Sequence, residues 1–193
     1  MERAGRALGL SHGPVHAECR IARDGRIFVL EIAARPIGGL CSRVLVFEGG
    51  ASGDERGAHG ISEPVGAGGR DRLSPLAPHS SLEDVLIRHA CGEDVTGFRR
   101  EDRAAAVMMI PIPRRGHLRH VSGEDTARNI SGITDVRITA KRDQILEPLP
   151  EAGSYLGFIF AHADTATDAE RAVRKAHAVL EFEIERDIPV VHG

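Results

Sequence analysis

The sequence has few aromatic residues and no excess of positive charge. It contains no tryptophan, aromatic residues make up 4% of the chain, and the formal net charge is −3. Proteins that bind nucleic acids usually combine a basic surface with aromatic side chains on which bases stack. The arginines here lie among acidic residues and form no basic run. We therefore expect no nucleic-acid partner.

Long apolar runs and paired cysteines are also missing. No stretch of 18 or more apolar residues occurs, and the first residues lack the apolar segment of a signal peptide, so we expect no membrane segment and a cytoplasmic location. Cys19, Cys41 and Cys91 are widely spaced, which does not fit the usual zinc or disulfide patterns. We expect them to act as small apolar residues, with Cys19 facing inward.

A hairpin with two opposed carboxylates is the most informative local pattern. Asp24-Gly25 lies between two strand-like runs, residues 15–22 and 27–35, and this pair is typical of a two-residue turn. Such a turn pairs Arg23 with Arg26 and therefore places Glu18 directly opposite Glu31. Like charges there are destabilising, and a divalent cation would compensate for them. The alternative is two solvated glutamates on an ordinary hairpin.

The neighbours of the two glutamates favour an anion-binding role. Alternation along each strand predicts one shared face, which carries His16, Glu18, Arg20, Val29, Glu31, Ala33 and Arg35. Pro36 ends the second strand, and Gly38 and Gly39 allow backbone N–H groups to approach an anion. A cation, a guanidinium and exposed amides together suit a polyphosphate or an acyl phosphate.

These two segments resemble the metal and phosphate end of an ATP-grasp domain. The matching residues are 13–18 and 29–39, and the relatives are L-amino acid ligases and similar carboxylate–amine ligases. The resemblance implies ATP and Mg²⁺ or Mn²⁺ as cofactors, with Glu18 and Glu31 as metal ligands. It implies phosphate contacts for Arg35, Gly38 and Gly39, and it places Arg35 and His16 in catalytic roles. Ala33 departs from the family, since many members have a metal-binding Asn there.

The second half resembles the small C-terminal domain of the same ligases. The matching segments are residues 110–116, 137–141 and 154–161. Along the chain we expect a helix capped by Ser81 and ended by Gly92, and strands over 104–113, 133–140 and 154–161. The final helix is expected to begin at Thr167, with an apolar stripe of alanine, valine and leucine.

The expected fold class is α+β, with an antiparallel sheet from the ATP-grasp C-terminal lobe and a small α+β C-terminal domain. We assign residues 1–95 to the lobe, with 48–80 as a flexible loop, and residues 96–193 to the small domain. The loop is rich in Gly and Pro, but no phosphate-binding loop motif occurs.

The resemblance implies the C-terminal portion of a ligase that activates a carboxylate as an acyl phosphate and joins it to an amine. The expected substrate is a small carboxylic acid or amino acid. The resemblance also implies that the ATP-binding lysines precede residue 1, so we expect the chain to be inactive without an N-terminal ATP-grasp part, supplied for example by a separate chain. Two alternatives stay open: a truncated, non-catalytic binding or regulatory module, and a different metal-dependent phosphate enzyme with a similar hairpin.

Overall fold

The computed structural model describes residues 2–49, 79–151 and 153–186. The chain forms two compact units, residues 1–101 and 102–193. The strand pairs of both units are antiparallel, as expected for the α+β class. No helix in the described part of the chain is long and apolar enough to span a membrane.

The described residues of the N-terminal unit form two small sheets and two helices. In chain order its elements are α1 (Glu2–Ala7), β1 (His16–Ile21), β2 (Ile27–Ala33), a 3₁₀ turn (Cys41–Val44), β3 (Val46–Glu48), β4 (His79–Ser81), α2 (Leu82–Ala90) and β5 (Arg99–Arg100). Strands β1 and β2 form a hairpin, and the second sheet has the order β4-β3-β5. Cys19 is exposed on the hairpin, so the expectation that it faces inward is wrong.

The second sheet extends this unit beyond residue 95. Phe47 pairs with Arg100, and the N–H of Glu101 donates to the carbonyl oxygen of Val46 at 3.0 Å. Glu48 pairs with His79 and Phe47 with Ser80, so the first and the last two residues of the expected 48–80 loop belong to strands. Residues 50–78, which include most of that loop, lie outside the described residues.

Helix α2 begins where the sequence predicted. The N–H of Asp84 donates to the Ser81 hydroxyl at 3.1 Å, which satisfies one of the free amides at the helix start. The helix ends before Gly92, whose φ of +83° suits a residue without a side chain, and its N–H donates to the carbonyl oxygen of His89. The Ser81 cap and the Gly92 stop are therefore confirmed.

In the C-terminal unit, residues 102–151 and 153–186 form two three-stranded sheets and two helices. Its elements are β6 (Ala104–Ile110), β7 (Gly116–Ser122), α3 (Glu124–Arg128), β8 (Ile133–Ile138), β9 (Ile145–Leu146), β10 (Gly157–Ala163), α4 (Ala166–Ala178) and β11 (Glu181–Glu185). One sheet has the order β6-β10-β8 and the other the order β11-β7-β9. The three expected strands of this half are all present.

Within the described residues, every buried apolar side chain belongs to the C-terminal unit. Strand β10 lies at the centre of its sheet, and Ile159 on it is 0% exposed. Helix α4 buries one stripe toward this sheet, formed by Ala169, Ala172, Val173 and Ala176. The alanines let the helix approach the strands closely. Burial of such apolar surface is the main favourable term in folding, so this unit holds the hydrophobic core.

Two local features of this unit bear on the sequence predictions. Gly157 is required for close packing, since a Cβ atom there would clash with the carbonyl oxygen of Arg137. Helix α4 is capped by Thr165 and not by Thr167: the Asp168 N–H donates to the Thr165 hydroxyl at 3.1 Å. The helix therefore begins earlier than the sequence predicted.

Candidate functional site

The β1–β2 hairpin places Glu18 directly opposite Glu31, as the sequence predicted. The turn and the strand register that produce this pairing differ from the prediction. The turn contains three residues, because the Ala22 N–H donates to the carbonyl oxygen of Arg26 at 2.8 Å. Arg23 therefore does not pair with Arg26, and that expectation is wrong. Gly25 completes the turn with a φ of +81°, a conformation that a side chain disfavours.

A β-bulge restores the predicted pairing at the glutamates. From Ile21 to Cys19 the strand pairs follow the three-residue turn, with Cys19 opposite Val29. The register then shifts by one residue between Cys19 and Glu18, so that Leu30 is the extra residue of β2. Val29 consequently pairs with Cys19 and leaves the glutamate face, whereas we had expected it there.

Each carboxylate has its own cationic or polar neighbour. The Glu18 Oε1 atom lies 3.2 Å from His16 Nε2, and the Arg35 Nη2 group donates to Glu31 Oε1 at 3.4 Å. The Glu18, Glu31 and Arg35 side chains are about half exposed, whereas the His16 side chain is 21% exposed. Because three of these four side chains are about half exposed, solvent and ligands can reach the cluster. Exposed ion pairs of this kind contribute little to the stability of the fold.

The glycine pair follows directly after this cluster. Arg35 Nη1 donates to the carbonyl oxygen of Pro36 at 3.2 Å, which folds the guanidinium back over the segment. A Cβ atom on Gly38 would lie 3.9 Å from Arg35 Nη1, and Gly39 has a φ of +64°. In the described part of the chain, neither glycine N–H donates to a backbone carbonyl. Both amides are therefore available to an anion beside the guanidinium.

Pairing and contacts thus connect five of the six proposed residues, His16, Glu18, Glu31, Arg35 and Gly38, and Gly39 follows next in the chain. The site's two carboxylates and one guanidinium together carry a formal charge of −1. Among the described residues, no group of three or more His, Cys, Asp or Glu side chains has a metal-binding arrangement. A cation held here would therefore need the remaining oxygen ligands from water or from a phosphate.

Sequence reasoning missed two contacts elsewhere in the N-terminal unit. The rings of His12 and His89 stack with centroids 4.3 Å apart. The Ser42 hydroxyl donates to Glu83 Oε1 at 2.5 Å, and this hydrogen bond lowers the pKa of the Glu83 carboxyl, with a further contribution from its own backbone amide. Both contacts join residues more than 40 positions apart, so no local pattern signals them.

Two family models match the chain on either side of its central region. Residues 1–44 match the ATP-grasp domain, and residues 108–185 match the L-amino acid ligase C-terminal domain 2. The chain matches the C-terminal part of an ATP-grasp ligase. The hairpin with Glu18 and Glu31 lies in the first match, and both sheets of the C-terminal unit overlap the second.

Three solved structures share this fold. The L-amino acid ligase from Bacillus licheniformis superposes with a TM-score of 0.66 at 21% identity, covering 95% of this chain and 39% of that one. Phosphoribosylglycinamide synthetase from Anaerococcus prevotii gives 0.62 at 12%, with 95% and 40% covered. N5-carboxyaminoimidazole ribonucleotide synthetase from Thermotoga maritima gives 0.58 at 16%, with 94% and 40% covered. At these identities the likeness shows the fold.

A curated sequence relative is also much longer than this chain. The uncharacterized protein y4rH of Sinorhizobium fredii is 25% identical over 187 residues, which cover 95% of this chain and 32% of that protein. The chain therefore spans about a third of this relative and about two fifths of each solved structure.

Proposed function

We propose that this chain is the C-terminal portion of an ATP-dependent ligase that activates a carboxylate as an acyl phosphate and joins it to an amine. The observation that carries the proposal is the direct opposition of Glu18 and Glu31, with Arg35 on Glu31, inside the segment that matches the ATP-grasp model. The match of the second unit to an L-amino acid ligase domain favours a small carboxylic acid or amino acid as the substrate.

The donor set of the hairpin fits Mg²⁺ or Mn²⁺. Both ligands we propose, Glu18 and Glu31, are carboxylates, and hard divalent cations prefer oxygen. Mg²⁺ commonly uses one or two protein carboxylates and takes its other ligands from water and substrate phosphates, which agrees with a site of two carboxylates. A bound cation would supply charge neutralisation for the ATP phosphates.

The other residues of the site act by binding and positioning. Arg35 presents a half-exposed, planar group of donors, which suits the γ-phosphate or the acyl phosphate. The free N–H groups of Gly38 and Gly39 add donors on the same segment. His16 contacts Glu18 and would hold that carboxylate in place or contact the substrate. The site would thus stabilise charge on a transferring phosphoryl group.

The proposed reaction has two balanced steps. A carboxylate oxygen of the acid attacks the γ-phosphorus of ATP, an O–P bond forms, and ADP leaves. The nitrogen of an amine then attacks the acyl carbon, phosphate leaves, and the nitrogen loses one proton. Arg35 and the two glycine amides would stabilise phosphoryl oxygens in both steps.

A non-catalytic binding or regulatory module is the second candidate function. It is favoured by the exposed apolar side chains of the hairpin, where Ile21 is 68% and Leu30 63% exposed. Such a surface is typical of a contact with another protein segment. In the catalytic case the same surface would meet a separate chain carrying the N-terminal ATP-grasp half.

Cation binding is the first test, and it needs no second chain. In NMR spectra of the full chain, Mn²⁺ should broaden the signals of Glu18 and Glu31 at concentrations that leave Asp24 unaffected. Asp24 is the matched control, because it is an exposed carboxylate on the same hairpin, paired with Arg26 at 2.7 Å. Glu31→Gln should abolish the selective broadening and Asp24→Asn should not. Equal broadening at all three carboxylates would contradict the metal assignment.

Activity is tested by adding a separately expressed N-terminal ATP-grasp half. The mixture should release phosphate from ATP only when both a carboxylic acid and an amine are present, and Glu31→Gln should abolish that release. Selective cation binding without any turnover in the mixture would support the non-catalytic module.

A further inference from the structure

A cavity of about 520 Å³ opens in the C-terminal unit beside helix α4. Its walls come from the residue before β6, the turn before β8, the end of β10 and one face of α4. Small-molecule sites commonly enclose roughly 300–1,000 Å³, so the volume fits a small metabolite. None of the residues that line it belongs to the N-terminal unit.

A backbone hydrogen bond joins two of the segments that line the cavity. The His162 N–H donates to the carbonyl oxygen of Gly132 at 2.9 Å, which joins the turn before β8 to β10. Gly132 has a φ of +88°, and a Cβ atom there would lie 3.3 Å from the His162 carbonyl oxygen and 3.4 Å from Ala172 Cβ. A side chain at this position would crowd two residues that line the cavity.

Among the described residues, some charged residues of the cavity have hydrogen-bond or ion-pair partners and others do not. Each Asp168 oxygen accepts one hydrogen bond, from the Thr165 hydroxyl at 2.6 Å and from Arg171 at 2.8 Å. In the described part of the chain, Arg103 and Lys175 have no ion-pair partner. Asp164 is the single further acid, so the unengaged groups leave the cavity with a net positive charge.

The basic residues of the cavity lie on α4 and directly before β6. Arg171 and Lys175 are four residues apart on α4 and therefore share a face, where like charges repel each other. The neighbouring i,i+4 pair on the same helix, Glu170 and Arg174, is by contrast an ion pair at 2.7 Å. Arg103 directly precedes the pair Ala104–Ala163, at one end of the sheet on which α4 packs with its buried stripe.

We infer that this cavity binds a small organic anion through a phosphate or carboxylate group. Arg103 and Lys175 provide the charge that neutralises the anion, and Ser131, in the turn before β8, adds a hydroxyl that can donate a hydrogen bond. Ile130 and Ala172 provide an apolar surface for the carbon skeleton. The inference is independent of the ATP-grasp chemistry, because it uses only residues of the C-terminal unit and needs no ATP.

The composition of the chain offers a direct test. Lys141 and Lys175 are the only lysines in the sequence, and Lys141 is exposed just beyond β8, outside the cavity. Acylation of the full chain with an amine-reactive reagent, read by mass spectrometry, therefore compares one cavity lysine with one internal control. Inorganic phosphate or succinate should slow acylation of Lys175 several-fold and leave Lys141 unchanged, against sodium chloride of equal ionic strength.

The two probes distinguish the chemistry of the ligand. Protection by phosphate alone indicates a phosphate ester, protection by succinate alone indicates a carboxylate, and protection by both supports a site for either group. Unchanged acylation of Lys175 with both probes, or equal slowing at Lys141, would overturn the inference.

A pair of arginine variants supplies the second measurement. Arg103→Gln should lower the affinity of the cavity for the protecting anion, phosphate or succinate, about tenfold. This is the loss expected for one charge-assisted hydrogen bond. Arg142→Gln is the matched control, because Arg142 has an 82% exposed side chain and does not line the cavity. Circular dichroism would verify that both variants fold. Equal probe affinity in the two folded variants would contradict the role of Arg103.

Discussion

Glu18 and Glu31 are opposite each other only because β2 carries one extra residue. The three-residue turn by itself would pair Glu18 with Leu30 and turn Glu31 to the other face of the hairpin. The bulge at Leu30 shifts the register back, so both carboxylates share a face. A bulge that re-aims a side chain is typical of functional sites, and here it creates the close pair of like charges that a cation would stabilise.

Gly25→Ala should weaken this hairpin. Gly25 has a φ of +81°, and nothing lies within 4 Å of the position that a Cβ atom would take, so the cost is conformational and not steric crowding by neighbours. For a residue with a side chain we expect a cost of about 1–2 kcal/mol. Because a two-stranded hairpin is only marginally stable, amide hydrogen exchange in β1 and β2 should become faster.

Gly25→Asn is the matched control for the turn, since Asn tolerates the left-handed conformation better than Ala. Exchange in its hairpin should stay closer to that of the unmodified chain. If Ala and Asn accelerate exchange equally, the left-handed turn at Gly25 is not what stabilises the hairpin.

Arg35→Gln should strengthen Mn²⁺ binding while it weakens any phosphoryl transfer. The Arg35 guanidinium competes with a cation for Glu31, at 3.4 Å. An exposed ion pair is worth up to about 1 kcal/mol, so its loss should raise the Mn²⁺ affinity by up to about fivefold. Paramagnetic broadening of the Glu31 signal during a Mn²⁺ titration measures this effect.

Arg20→Gln is the control for the loss of one positive charge. Arg20 is on β1 but pairs with Phe28, beyond the bulge from the glutamates. Its substitution should change the Mn²⁺ affinity less than Arg35→Gln does. Equal gains would mean that general charge, and not the contact with Glu31, sets the affinity.

Ser42→Ala should raise the pKa of the Glu83 carboxyl toward its ordinary value. The hydrogen bond from Ser42 is the largest cause of the lowered pKa. A carboxyl whose pKa is lower in the folded state stabilises the fold above its unfolded pKa of about 4.3, and this contribution is lost as the pH falls through the folded pKa. The variant should lose part of that acid-dependent stabilisation, and an NMR titration of Glu83 measures the pKa itself.

Ser81→Ala separates this effect from helix capping. Ser81 caps α2 and is the smallest contributor to the lowered pKa of Glu83, so the Glu83 pKa should move less than in Ser42→Ala. A larger shift in the Ser81 variant would show that the helix start, and not the Ser42 hydroxyl, holds the pKa down.

Local patterns predicted the elements better than their details. Asp24-Gly25 between two apolar runs predicted the hairpin, and Ser81 with Asp84 predicted the start of α2. Thr165-x-x-Asp168 and Thr167-x-x-Glu170 both have the spacing of a capping box. The sequence could not choose between them, because the choice depends on where the backbone leaves β10, and the structure uses Thr165.

The hairpin register was a harder case. A two-residue turn and a three-residue turn with a bulge both bring Glu18 opposite Glu31, so the correct pair followed from an incorrect turn. The two registers differ at Val29. The two-residue turn places Val29 on the face of the glutamates, whereas the three-residue turn with the bulge pairs it with Cys19. The presence of a bulge is set by twist and cross-strand packing, and these are not visible in alternation alone.

The sequence by itself determined that the six candidate residues lie on one hairpin and the segment directly after it, because all six lie within 24 positions of the chain. Only the tertiary structure decided the cavity of the C-terminal unit. Arg103, Gly132, His162 and Lys175 lie far apart in the chain, and they meet because β10 inserts between β6 and β8 while α4 packs across that sheet. Such contacts arise from the order of strands and the burial of one helix face, which no local spacing records.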